Sequence, residues 1–327
     1  MRYMKYGVMS GLVLLLTACL GGGGGGGGPA PANYDGLTSQ AALTGTNAQD
    51  FAETSIDGAS PSGNLAAGAE GGSTTNNTGQ MAGFLRTFIQ LSPVLEELRI
   101  NGGTGSSGSP YNSAIQTSGS TTDSPCGGSM SFSMSIDDVT FDWSGYISFS
   151  NFKDCDSGSV TNGSLSFSGN LTSTTYTFNA MSITEGSESF VLTGTMVMTG
   201  MPGATGSSFS MTMNMDFRDN NANETYRMRN MVIAMTVGTT DTTMTMTGDI
   251  YHPTYGFVTV ATTTPITIPN SGNLPTSGVM TLTGSGGSTT TVTYQNDGTY
   301  DLAIDTNGDT TVDITKTCTW STQTCTP

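Results

Sequence analysis

From Gly128 almost to the C-terminus, apolar residues recur at every second position. Phe132, Met134 and Ile136 alternate with serines, and so do Leu165 and Phe167. Met196 and Met198 are interleaved with Thr195, Val197 and Thr199, and Met211, Met213 and Met215 with Thr212 and Asn214. Met244 and Met246 sit among threonines, and later runs reach Val279–Leu282, Thr299–Ile304 and Val312–Thr319. In an extended backbone successive side chains point to opposite sides, so each run is a strand with one apolar and one hydroxyl-bearing face. About fourteen runs follow one another at roughly 10–14-residue spacing, broken by Gly, Asn, Asp and Pro, as in sequential antiparallel strands. No stretch of helical period intervenes, which excludes βαβ units. The expected fold is mainly β: an antiparallel meander of about fourteen strands, forming a barrel, half-barrel or sandwich, with one amphipathic helix packed on or in it. Alternation is the same in all three forms.

The helical period lies upstream. Met81, Phe84, Leu85, Phe88, Leu91, Leu95 and Leu98 recur three and four apart, predicting an amphipathic helix over 80–100, kinked at Pro93 and stopped at Gly102-Gly103. A shorter helix is expected to begin within Asn47–Glu53, capped by Thr46 or Asn47. The rest of 33–125 is low in apolar content, and 126–327 is read as the β domain.

The N-terminus carries its own signal. Arg2 and Lys5 precede an apolar stretch, Gly7–Leu16, too short to span a bilayer. Leu16-Thr17-Ala18-Cys19 resembles the lipobox of bacterial lipoproteins, which implies cleavage after Ala18 and diacylation of Cys19. Leu20 in the next position implies the outer membrane by resemblance to the enterobacterial sorting rule. Residues 19–32, with glycine from Gly21 to Gly28 and then Pro-Ala-Pro-Ala, read as a flexible tether reaching about 20 Å.

The second half resembles a loosely defined family of β-rich, lipid-anchored envelope proteins of Proteobacteria without assigned activity. The resemblance rests on Arg218-Asp219-Asn220-Asn221, Tyr251–Val260, Thr264-Pro265-Ile266, Pro275-Thr-Ser-Gly278 and Asp305-Thr-Asn307-Gly-Asp309. It implies fold and location and transfers no active site.

Charge narrows the partners. Losing Arg2 and Lys5 with the leader leaves 25 acidic against 7 basic residues, a formal net charge of −18. Nucleic acid is excluded, since phosphate binding needs a basic patch. The membrane is expected as a partner only through the lipid anchor, alongside an apolar ligand or an envelope protein. The one histidine, His252, excludes any multi-histidine metal site. It lies beside Pro253 and reads as a turn or packing residue. No nucleophile elbow, phosphate loop or zinc-protease motif occurs, so no catalytic residue is assigned.

Three constellations remain. Cys126, Cys155, Cys318 and Cys325 are an even set in an exported chain and imply disulfides; local pairing, 126 with 155 and 318 with 325, is expected. Of the 19 methionines, 15 fall between Met130 and Met280. Met196, Met198, Met211, Met213, Met215, Met244 and Met246 are expected to fill the inner face of the sheet. The rival readings are soft-metal ligation and lining for an apolar ligand. Asp305, Asn307, Asp309 and Asp313 place oxygens as in a calcium loop, but Lys316 stands where an acidic ligand is needed. A simple hairpin turn at Asn307-Gly308 is the other reading. No resident cofactor is expected beyond that calcium ion.

Overall fold

The computed structural model describes residues 29–57, 115–122, 126–137, 140, 142–153, 158–170, 172–200, 206–270, 274–320 and 324–327. Its strands are β1 (Ile115–Thr122), β2 (Ser129–Ile136), β3 (Trp143–Lys153), β4 (Val160–Gly169), β5 (Ser173–Glu185), β6 (Glu188–Thr199), β7 (Ser208–Asp219) and β8 (Glu224–Val237). They continue with β9 (Asp241–His252), β10 (Gly256–Pro269), β11 (Ser277–Thr283), β12 (Thr289–Tyr294), β13 (Thr299–Asp305), β14 (Ile314–Thr319) and β15 (Thr324–Thr326). One helix, α1 (Asn47–Asp57), precedes them among the described residues. The fifteen strands form one sheet in chain order, every neighbour antiparallel and joined by a hairpin. The meander expected from the alternation is present. The sheet is not closed, which leaves the half-barrel and the sandwich of the three forms.

Register puts the alternating residues in rows. On the inner face Met196 pairs with Met213 and Met213 with Met231. A second row runs Met198, Met211, Ile233, Met246 across β6 to β9. The outer face carries hydroxyls and amides, as in the row Ser133, Tyr146, Ser166, Thr177, Thr195, Asn214. The ladder slips between Phe149 and Phe152, between Phe178 and Met181, and between Met213 and Met215. Asn151, Ala180 and Asn230, at or beside these slips, have φ near +50°. Such bulges bend a strand and increase its local twist.

Residues 29–45 form a strap around one end of this sheet. Ala32 packs with Ala180 and Val191 on the outer face, and its N–H donates to Thr193 Oγ1 at 2.9 Å. Of the stretch 19–32 read as a tether, residues 29–32 are described, and Ala32 among them is buried to 1% exposure. The strap then passes the β9–β10 turn, where Leu37 N–H donates to Pro253 O. Gly36 lies so close there that a Cβ would stand 2.5 Å from Pro253 Cα. Ser39 and Ala41 bond the backbone of Phe257, and Leu43 is fully buried in the main core.

α1 follows on the inner face, against β9 and β13. Its cap lies earlier than Thr46 or Asn47. Thr44 O accepts the Ala48 N–H, Thr44 Oγ1 accepts the Asn47 N–H, and Asn47 Oδ1 accepts the Thr44 N–H. This is a reciprocal cap of the Ser/Thr-x-x-polar kind, in which each side chain satisfies the other's backbone. The sheet also begins before the boundary expected at 126, with β1. The amphipathic helix expected over 80–100, the leader 1–18 and Cys19 lie outside the described residues.

Candidate functional site

The seven methionines singled out from the sequence all reach the inner face. Met196, Met211, Met213, Met215 and Met244 are at 0% exposure, and Met198 and Met246 at 3%. They interdigitate with Phe178, Leu192, Ile233 and Ile266 in one continuous core. They are buried within this apolar cluster, the environment of a flexible core filler.

The polar chemistry of the inner face gathers around α1. Glu53, 3% exposed, faces β13, and its Oε1 accepts the Tyr300 O–H at 2.6 Å and Gln49 Nε2–H at 2.9 Å. Among the described residues no cation lies within ion-pair distance of it. Burial pushes its carboxyl pKa up, against those two hydrogen bonds. Asp50 is also raised by burial and by Glu224, with Tyr255 and Lys316 acting the other way. Lys316 Nζ donates to Gly45 O, tying β14 to the turn before the helix.

His252 stands at the end of β9 beside this helix. Its ring is 4.4 Å from Tyr255, 5.1 Å from Tyr226 at a right angle, and 6.0 Å from Phe51. Nδ1 accepts the Thr254 N–H at 3.1 Å, so the ring proton is on Nε2. Burial lowers its pKa, opposed by Glu224. Tyr226 O–H donates to Glu224 Oε2 at 2.9 Å. The histidine is thus enclosed by aromatics and held through its backbone turn, as a packing residue is.

On the outer face Asp216 is the junction of the strap. It accepts Arg227 Nε–H at 2.8 Å and Nη2–H at 3.0 Å, Arg229 Nη2–H at 3.2 Å and the Tyr34 N–H at 3.0 Å. Burial holds the Tyr34 phenol up at about 12, so its O–H remains a donor to Leu37 O and His252 O.

No family model, curated protein or solved structure matches this chain.

The loop at Asp305–Asp313 uses its oxygens on its own backbone. Asp305 accepts the N–H groups of Asn307, Gly308 and Thr310, Asn307 Oδ1 that of Asp309, Asp309 that of Thr311, and Asp313 that of Thr306. Burial of Asp305 works to raise its pKa, but these backbone donors prevail and lower it. Among the described residues no three His, Cys, Asp or Glu side chains gather as a metal site. A calcium ion here would have to displace these N–H groups. Cys318 and Cys325 are directly paired across β14 and β15 and form a disulfide. Cys126 is also disulfide-bonded; its expected partner, Cys155, lies outside the described residues.

The strap and the Glu53–Tyr300 contact had no signature in the sequence. The contact joins residues 247 positions apart. For the helix start the available signal was the Thr44-x-x-Asn47 spacing, which the reading of Thr46 or Asn47 as the cap passed over.

Proposed function

We propose that this chain is an outer-membrane-anchored lipoprotein with a non-catalytic structural or interaction role at the cell envelope. The anchor is Cys19, and the strapped β-sheet is the part presented to other envelope components. The observation that carries this reading is how the chain uses its own polar and apolar groups. The seven methionines singled out from the sequence are buried in the apolar core, Asp216 joins Arg227 and Arg229 to the strap's backbone, Asp305 accepts the N–H groups of its own loop, and His252 is enclosed by Tyr226, Tyr255 and Phe51. Groups committed in this way support packing and attachment better than turnover.

The test is acylation and membrane retention. The native chain should fractionate with outer membranes and carry diacylglycerol on Cys19 by mass. Cys19→Ser should be released in soluble form with the same fold. A Cys19→Ser protein that remains membrane-bound and unmodified would overturn the anchoring. Turnover of a lipid, glycan or peptide by the purified chain would overturn the non-catalytic role. The second reading, carriage of an apolar ligand, is favoured by the methionine-rich inner face. It requires co-purifying lipid that is lost on unfolding in a native mass spectrum.

A further inference from the structure

The strap and α1 are one continuous segment fastened at two ends by different chemistry. The outer end rests on charge, with Asp216 held by Arg227, Arg229 and the Tyr34 N–H. The inner end rests on the burial of Phe51, Ala52 and Ile56 around a carboxyl that has no cation within ion-pair distance among the described residues. Both donors to Glu53 converge on Oε1, and Oε2 receives no hydrogen bond among the described residues. Two donors on one oxygen suit a carboxylate as well as an acid and by themselves favour the charged form; it is the enclosure of the group that favours the neutral one. A carboxylate in the same place would be a buried charge without a counter-ion, which is strongly disfavoured.

We propose that α1 is a proton-set latch: with the Glu53 carboxyl protonated and held by Tyr300 and Gln49 the helix stays seated on the inner face, and loss of that proton to water releases it while the strap remains fastened at Asp216. Release uncovers the apolar inner face of β9 and β13. The device stands independently of how the chain is attached to a membrane.

The groups facing the latch set its direction. On α1 itself Asp50 adds like charge. β13 supplies Tyr300, and β14 supplies Lys316, which is bonded to Gly45 O and acts on Asp50. β8 supplies Glu224 and Tyr226, the end of β9 supplies His252, and the β9–β10 turn supplies Tyr255. Glu53 titrates above its ordinary value when seated. Its contribution is therefore complete below that ordinary value and is lost as pH rises through the raised one. His252 titrates below its ordinary value, so its contribution is lost only as pH falls through the lowered one. The two act on opposite sides, and replacing Glu53 removes the alkaline release alone.

The experiment is hydrogen exchange of peptides covering 47–57 in the full chain, corrected for the intrinsic pH dependence of exchange. Between about pH 5 and pH 9, protection of α1 should fall about tenfold or more while the strands of the sheet keep theirs. Glu53→Gln, a neutral mimic of the acid, should hold α1 protection within about twofold over the same range. Tyr300→Phe, which removes a donor that lowers the Glu53 pKa, should move the pH-dependent loss of protection to higher pH. An apolar fluorescent dye should bind with the wild-type profile. Protection of α1 that does not change with pH in the wild type overturns the latch. So does Glu53→Gln that retains the wild-type pH profile, or loss of protection in α1 and the sheet together.

Discussion

Arg227 lies with its guanidinium carbon 4.7 Å from the centroid of the Tyr34 ring, while two of its nitrogens hold Asp216. One side chain thus stacks on the strap and neutralises the carboxylate that accepts the strap's backbone. Arg227→Met should leave Asp216 with only the more exposed Arg229 and should cost about 2–3 kcal/mol. Urea unfolding measures it. A variant as stable as the parent would show that the ion pair contributes nothing to stability.

Gly36 passes Pro253 with no room for a side chain. Gly36→Ala should displace the strap at the point where it rounds the β9–β10 turn, at a cost of roughly 1–3 kcal/mol. Limited proteolysis should then cut within 29–44 while the sheet remains intact. Unchanged cleavage would mean that the turn yields instead.

The reciprocal cap of α1 predicts non-additivity. Thr44→Ala and Asn47→Ala should each cost about 1 kcal/mol. Because each side chain bonds the other's backbone, the double variant should cost less than the sum. Additive losses would mean that the two bonds act separately.

Met213 pairs with Met196 on one side and Met231 on the other and is fully buried. Met213→Ala should cost about 2–5 kcal/mol through the cavity it leaves, whereas Met213→Leu should cost less than about 1.5 kcal/mol. Cu(I) titration separates core filling from soft-metal ligation. Affinity present in the parent and lost in the leucine variant would establish a thioether site.

The Asp305 carboxylate organises its loop only when ionised. Its pKa is lowered, so the order it gives is present above the ordinary carboxylate value and lost as pH falls through the lowered one. Amide exchange at Asn307, Gly308 and Thr310 should accelerate in that range, and Asp305→Asn should flatten the response. Calcium that shifts the same amides at neutral pH would show that the loop exchanges its N–H groups for the ion.

The strands were legible because the side-chain period of extended backbone is two, and a run such as Phe209 to Phe217 admits no other reading. The inner position of the methionines came with it, since residues two apart share a face. The disulfide between Cys318 and Cys325 was legible from closeness in the chain. Ala32, by contrast, sits in a stretch with the composition of a linker, yet it fills a space beside Val191. The cap at Thr44 was misplaced by two or three residues because several polar residues in succession qualified. Thr44 is set apart by the reciprocal bond with Asn47.

Alternation, turn residues and chain order were enough to establish an antiparallel meander, because each hairpin depends on neighbours a few residues away. The openness of the sheet, the path of residues 29–45 from its outer to its inner face, and the burial of Glu53 against Tyr300 belong to the tertiary structure alone. They depend on the accumulated twist of fifteen strands and on contacts between residues far apart in the chain. Whether a carboxylate on an otherwise ordinary short helix is solvated or enclosed is decided by what the fold brings over it, and no local pattern encodes that.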